Sequence, residues 1–150
     1  MANEFFVGTQ LAADKYNSFR ARGRRMRTQL QELSAQLDVD ANARTLISIA
    51  QRIKDFRIEF AGYIGDADLQ SESAARITQT PAYDIDAAIT AQLALLDAAI
   101  AVMQGYNVNV LVESWEPNPA TTEVINYGSF TPAQTAPFKA AIDAAVTGII

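Results

Sequence analysis

Tyr16-Asn17-Ser18-Phe19-Arg20-Ala21-Arg22-Gly23-Arg24-Arg25-Met26-Arg27-Thr28-Gln29-Leu30 is the stretch that decides the fold. Tyr16, Phe19, Gly23, Met26 and Leu30 fall 3, 4, 3 and 4 residues apart. Extended to Ala12 on one side and to Leu33 and Leu37 on the other, they form an a/d seam sustained over more than three heptads. A strand cannot hold this period, so the spacing predicts a long helix over about residues 9–37. Gly23 costs roughly 1 kcal/mol in a helix interior. At a seam position it is expected either to admit a facing backbone closely or to mark a bend.

The five arginines of this stretch, Arg20, Arg22, Arg24, Arg25 and Arg27, surround the seam without entering it. On the helical wheel Arg20, Arg24 and Arg27 share one flank, Arg22 lies on the other, and Arg25 points directly away. Two readings compete: a phosphate-binding stripe for nucleic acid, or a solvated face whose arginines pair with acids of a neighbouring helix or subunit. The second is favoured, because the only interleaved aromatic, Phe19, belongs to the seam and the chain carries a net charge of −5. Crowded like charges disfavour an isolated helix, so an acidic surface is expected opposite Arg20, Arg24 and Arg27.

Outward from this helix the same period recurs. Leu46, Ile49, Ile53, Phe56, Phe60 and Tyr63 are spaced 3, 4, 3, 4 and 3 and predict a second helix. The intervening Asp38-Val39-Asp40-Ala41-Asn42 is short enough to make the two an antiparallel hairpin, with an Asp or Asn cap. It imitates the start of a calcium loop, but Ala43 stands where glycine is needed and Ile49 where the bidentate glutamate belongs, so it is read as a cap. Gly62 and Gly65 sit where a left-handed residue would end the second helix. A polar third helix is expected over residues 66–78, stopped by Thr80-Pro81. A fourth runs from a cap at Asp84 to Gln104, with Gly105 after it, and its apolar face is broad enough to be buried on more than one side.

Beyond Gly105 the period changes. Val108, Val110 and Val112 read as a strand ended by Trp115-Glu116-Pro117-Asn118-Pro119, and residues 124–130 as its partner. Such a ribbon is marginal alone and is expected to rest on the helices or on another subunit. A last helix is expected from a cap near Thr135, with Pro137 in its first turn and Phe138, Ala141, Ile142 and Ala145 on one face, reaching outward as an arm that ends on Ile149-Ile150. The fold class is therefore mainly α: a bundle of about four helices over residues 1–106, then a small β-ribbon and C-terminal helix over residues 107–150, packed on the bundle or on a neighbouring subunit.

Composition narrows function. At 150 residues the chain is one domain, and 49% of it is apolar. It has no cysteine and no histidine, which removes thiol chemistry and the commonest general base and metal ligand. Carboxylates, hydroxyls, Lys15, Lys54 and Lys139 remain. The acid pairs Asp66/Asp68, Asp84/Asp86 and Glu113/Glu116 lie at helix starts or in loops, where capping explains them without catalysis. No catalytic residue, cofactor or metal site is expected. Met1-Ala2-Asn3-Glu4-Phe5-Phe6-Val7 has no basic leader, and the apolar run from Ile85 to Val102 is interrupted by Asp86, Gln92 and Asp97, so neither a secretory signal nor a membrane span is expected.

Charge is segregated along the chain. Residues 1–76 hold eleven Lys or Arg against ten Asp or Glu, whereas residues 77–150 hold only Lys139 against seven acids. Such asymmetry suggests separate contact surfaces. The expected partner surface comprises the five arginines together with Trp115, Phe130, Phe138, Ile142, Ile149 and Ile150, since an exposed tryptophan and an apolar tail suit an interface.

A short, cysteine-free, Ala/Thr/Gln-rich chain with a helical body and an extended arm resembles, in general style, the small structural proteins of tailed-phage virions: decoration, connector or tail components. The resemblance implies a non-enzymatic assembly subunit with capsid or tail proteins, or further copies of itself, as partners. It implies a place in the virion, with the cytoplasm as the alternative, and carries no functional residue over. The alternatives are a nucleic-acid-associated protein using the Arg20–Arg27 stripe and, third, a small-ligand binder or enzyme.

Overall fold

The computed structural model describes residues 2–106 and 129–147, and the fold is mainly α, 81% helical. Five helices, α1 (Ala2–Ala35), α2 (Ala43–Ala61), α3 (Ala67–Arg76), α4 (Ile85–Gln104) and α5 (Pro132–Thr147), are joined by a two-residue ladder of β1 (Ala41–Asn42) and β2 (Ser129–Phe130). The heptad seam is the buried edge of α1, continued by Leu37 in the turn that follows: Tyr16, Phe19, Met26, Leu30 and Leu37 are at most 4% exposed. Gly23 is buried among them, and the helix runs through it unbroken. Beside Gly23 lies a small void bounded by Met26, Phe60 of α2, and Ala88, Ile89 and Gln92 of α4.

α1 and α2 run antiparallel, as the side chains that meet between them show. Phe19 sets its ring edge against Phe60 and Tyr63, at 5.9 and 5.0 Å between centroids, and further along Arg22 reaches Glu59 at 3.6 Å and Arg52 donates to Gln29. A single 3₁₀ turn, Gln36–Asp38, makes the reversal, and the Asn42 side chain caps α2 by accepting from the Thr45 amide at 2.9 Å. The pair is splayed rather than tight. α2 packs chiefly on α4, and α5 fills the space along α1 and α4. Leu46, Ile49, Ile53, Leu96, Met103, Phe138 and Ile142 are fully buried where these helices meet. α4 is long and apolar enough to cross a membrane by length and composition alone, but its Ile85, Ile89, Leu93, Leu96 and Met103 point into this core.

Three expectations are refined or corrected. The described end of the second ribbon strand, Ser129–Phe130, pairs antiparallel with Ala41–Asn42 in the register Ala41↔Phe130 and Asn42↔Ser129, so the hairpin's turn supplies one partner that the sequence pattern does not name. Val108 to Val112, the expected partner, lies outside the described residues. Next, α5 begins earlier than Thr135. Thr131 and Gln134 form a reciprocal capping box, in which the Thr131 amide donates to Gln134 Oε1 at 2.8 Å and the Gln134 amide to Thr131 Oγ1 at 3.3 Å, with Pro132 as the first helical residue. Thr135 is then buried inside the helix, and Pro137 falls in its interior, where it leaves the Ala133 carbonyl without its usual amide. That costs about 3 kcal/mol, and burying Phe138 and Ile142 at roughly 2–3 kcal/mol each outweighs it.

The third correction follows from the second. α5 is no outward arm: Phe138, Ile142 and Ala145 have no exposed surface, so Phe138 and Ile142 belong to the core and present nothing to a partner. Among the glycines, Gly65 takes the left-handed conformation at φ 84°, whereas Gly62 and Gly105 stay right-handed at φ −66° and −73°. Neither of those two closes its helix by the expected left-handed turn.

Candidate functional site

The arginine face is positioned by α1 and completed by α3. Asp66 caps α3 by accepting from the Leu69 amide at 3.0 Å, and Lys15 of α1 bridges Asp66 and Asp68 at 3.2 and 3.1 Å. Leu69 and Ser73 are fully buried, so this short helix is held down along α1. The Leu69 amide bond, aided by Lys15, holds the Asp66 carboxyl below its ordinary 3.8, and the two carboxylates in turn raise the Lys15 ammonium. With its start clamped, α3 delivers Arg76 at its last turn beside Tyr16.

Tyr16 is the hub. Its ring, 3% exposed, carries the Arg20 guanidinium at 5.9 Å and the Arg76 guanidinium at 5.0 Å from its centroid, while Arg20 also donates to its hydroxyl at 3.3 Å. Arg76 gives its Nε hydrogen to Glu72 at 3.0 Å. Tyr16, Asn17, Arg20 and Arg24 from α1, Arg76 from the end of α3 and Ile77 just after it line an open cleft of about 440 Å³. The Tyr83 hydroxyl lies within electrostatic reach of Tyr16 and Arg20 and has no hydrogen-bond partner among the described residues. Burial first, then the Tyr16 phenol and Asp84, push that phenol above its ordinary 10.0 against the pull of Arg20.

The acidic surface is expected opposite Arg20, Arg24 and Arg27; on the other flank Glu59 faces Arg22 at 3.6 Å. Arg20, Arg24 and Arg25 have no carboxylate within ion-pair distance among the described residues, and what stands across from Arg20 and Arg24 is a third arginine, Arg76. Arg24 and Arg25 are exposed to solvent, and Arg27 is half-buried. Of the other expected interface residues, Phe130 is half-buried with its ring edge on Tyr106 at 5.6 Å, and Trp115, Ile149 and Ile150 lie outside the described residues.

The acid pairs at helix starts do structural work. Asp84 caps α4 at the Ala87 amide, 3.1 Å away, and Asp86 accepts from the Gly65 amide and from Gln70. Glu113 and Glu116 lie outside the described residues. No group of three or more potential metal ligands occurs among the described residues. The calcium-like turn is a cap, as expected, and its Asp38 pairs with Lys139 at 3.0 Å.

Among the described residues, Lys139 marks an arrangement that resembles nucleophilic machinery. Its Nζ lies 2.9 Å from Ser34 Oγ, and that hydroxyl donates to Asp143. Yet the same ammonium also donates to the Ser34 carbonyl at 3.2 Å and to Asp38, which occupies all three of its protons and leaves no lone pair to take one from serine. The cluster is a tie between α5 and the end of α1. Sequence spacing had no means of joining Ser34 to Lys139, 105 residues on.

No family model matches the sequence, and neither the curated proteins nor the solved structures contain a match to it.

Proposed function

We propose that this chain is a non-enzymatic structural subunit that works by protein–protein contact, with the arginine face of α1 docking on an acidic surface of another subunit. The observation that carries this reading is the exposed pair Arg24 and Arg25, left without a carboxylate among the described residues although the chain as a whole has a net charge of −5. Two adjacent cations with no acid beside them among the described residues form a face suited to acids from elsewhere. The engagement of Asp66, Asp84 and Asp86 as caps and loop ties, and of Lys139 as a full donor, supports the non-enzymatic part. The resemblance in style to tailed-phage structural proteins makes a virion the assembly of this proposal, with capsid or tail subunits or further copies of the chain as partners.

Light scattering across a wide protein concentration range, together with copurification from the native source, tests it. Self-association or recovery in a large particle is expected, weakened by Arg24→Glu with Arg25→Glu and by rising salt. A strict monomer at every concentration that copurifies with no large assembly overturns it.

A further inference from the structure

We propose that the cleft between α1 and the end of α3 is a binding site for a phosphate group, held by Arg20, Arg24 and Arg76. This goes beyond the docking reading and does not rest on it. Arg20 and Arg24 of α1 and Arg76 of α3 line one cavity of about 440 Å³, and among the described residues the only carboxylate within ion-pair distance of any of them is Glu72, on Arg76. About two positive charges are therefore left facing the space, which matches the charge of roughly −1.5 to −2 on a phosphate monoester. A carboxylate offers a single charge and two oxygens. The three free oxygens of a phosphate give each planar arginine fork an acceptor.

The cleft is also built to hold this shape without its ligand. Tyr16 is 3% exposed and supports the Arg20 and Arg76 guanidiniums with one ring, so both are oriented before any anion arrives. Its hydroxyl accepts from Arg20 and keeps its own hydrogen to donate. Asn17 adds an amide, and Ile77 closes one wall with an apolar surface. The Lys15 bridge to Asp66 and Asp68 ties the start of α3 to α1, while the Tyr16 ring and Glu72 orient Arg76 at its end. The volume lies within the range of small-ligand pockets, and its open mouth equally admits one phosphate of a longer chain.

Titration calorimetry at low ionic strength tests the site, with inorganic pyrophosphate as one probe and a single-stranded oligonucleotide as the other. At least one probe is expected to bind the wild-type chain, and Arg20→Gln and Arg76→Gln each to weaken that binding about tenfold. Arg25→Gln, which lies outside the cleft, is expected to leave it unchanged while weakening any docking through the arginine face. Circular dichroism confirms that each variant is folded, and Arg20→Gln carries the test if Arg76→Gln, having lost its Glu72 bond, is not. Binding of pyrophosphate and not of the oligonucleotide assigns the site to a free phosphate ligand. Tighter binding of the oligonucleotide, lost in the same variants, assigns it to a nucleic-acid backbone. No heat from either probe, or binding that all three variants retain equally, overturns the proposal.

Discussion

Replacing Phe138 by alanine tests whether α5 is core or arm. Phe138 is completely buried beside Ile142, in the helix that lies between α1 and α4. If α5 were an arm, the truncation would remove exposed surface and cost a few tenths of a kcal/mol. As core, the side chain forfeits its transfer free energy and leaves a cavity that three packed helices cannot close, a loss of about 3–5 kcal/mol. Set against a total of roughly 5–15 kcal/mol for a domain, that is about a fifth of the stability or more. With a urea slope of about 2 kcal/mol/M, the midpoint falls by about 2 M. Equilibrium urea unfolding followed by far-UV circular dichroism reads this directly. Phe138→Leu is the companion variant, expected to cost less than about 1.5 kcal/mol because it keeps most of the volume. A loss below 1 kcal/mol for Phe138→Ala, with Phe138→Leu indistinguishable from it, refutes the packing of α5 described above.

Two further predictions concern the polar ties. The Asp66 carboxyl is held below its ordinary 3.8 in the folded chain, so on acidification the unfolded state takes up this proton first. The stability it contributes is present above pH 3.8 and disappears as pH falls from there through the depressed value; Asp66→Asn keeps a capping oxygen and removes the titration, so the gap between variant and wild type should close in acid, and a gap independent of pH in urea midpoints speaks against the assignment. Lys139→Met removes the donor shared by the Ser34 carbonyl, Ser34 Oγ and Asp38. It should cost about 1–2 kcal/mol in urea unfolding, and a loss within 0.3 kcal/mol would show that the tie contributes nothing beyond an exposed ion pair.

The helices that bury one continuous stripe were legible from spacing alone. Tyr16 to Leu37 and Leu46 to Phe60 lie where their 3–4 period places them, and Asn42, Asp66 and Asp84 cap the helices that follow them. What spacing did not resolve was the role of α5. Its Phe138, Ile142 and Ala145 stripe is short, and Pro137 within it reads as a first-turn residue by any local rule. The Thr131-Pro132-Ala133-Gln134 capping box carried the correct signal, with the proline at the first helical position, and competed with the more conspicuous Thr135-Ala136-Pro137. The β1–β2 pairing is a different kind of gap. A two-residue ladder between positions 41 and 130 leaves almost no pattern in sequence, because its register is set by how α2 and α5 pack and not by alternation.

The arginine cluster divides along the same line between local and distant information. Its angular order on α1 was readable from the wheel, including the flank shared by Arg20 and Arg24. What faces that flank was not, because like-charge crowding on an isolated helix argues for acids opposite, and the structure sets Arg76 there, 56 residues beyond Arg20. The crowding is tolerable for a stated reason. Tyr16 offers the negative face of its ring to both guanidiniums, Glu72 offsets one of them, and solvent in the open cleft screens the remainder. An aromatic ring with a cation at each helix neighbour is a weaker counter-charge than a carboxylate would be, so repulsion remains between the arginines. An anion entering the cleft relieves it, and that residual repulsion is what distinguishes a site from a surface on which arginines merely happen to be exposed.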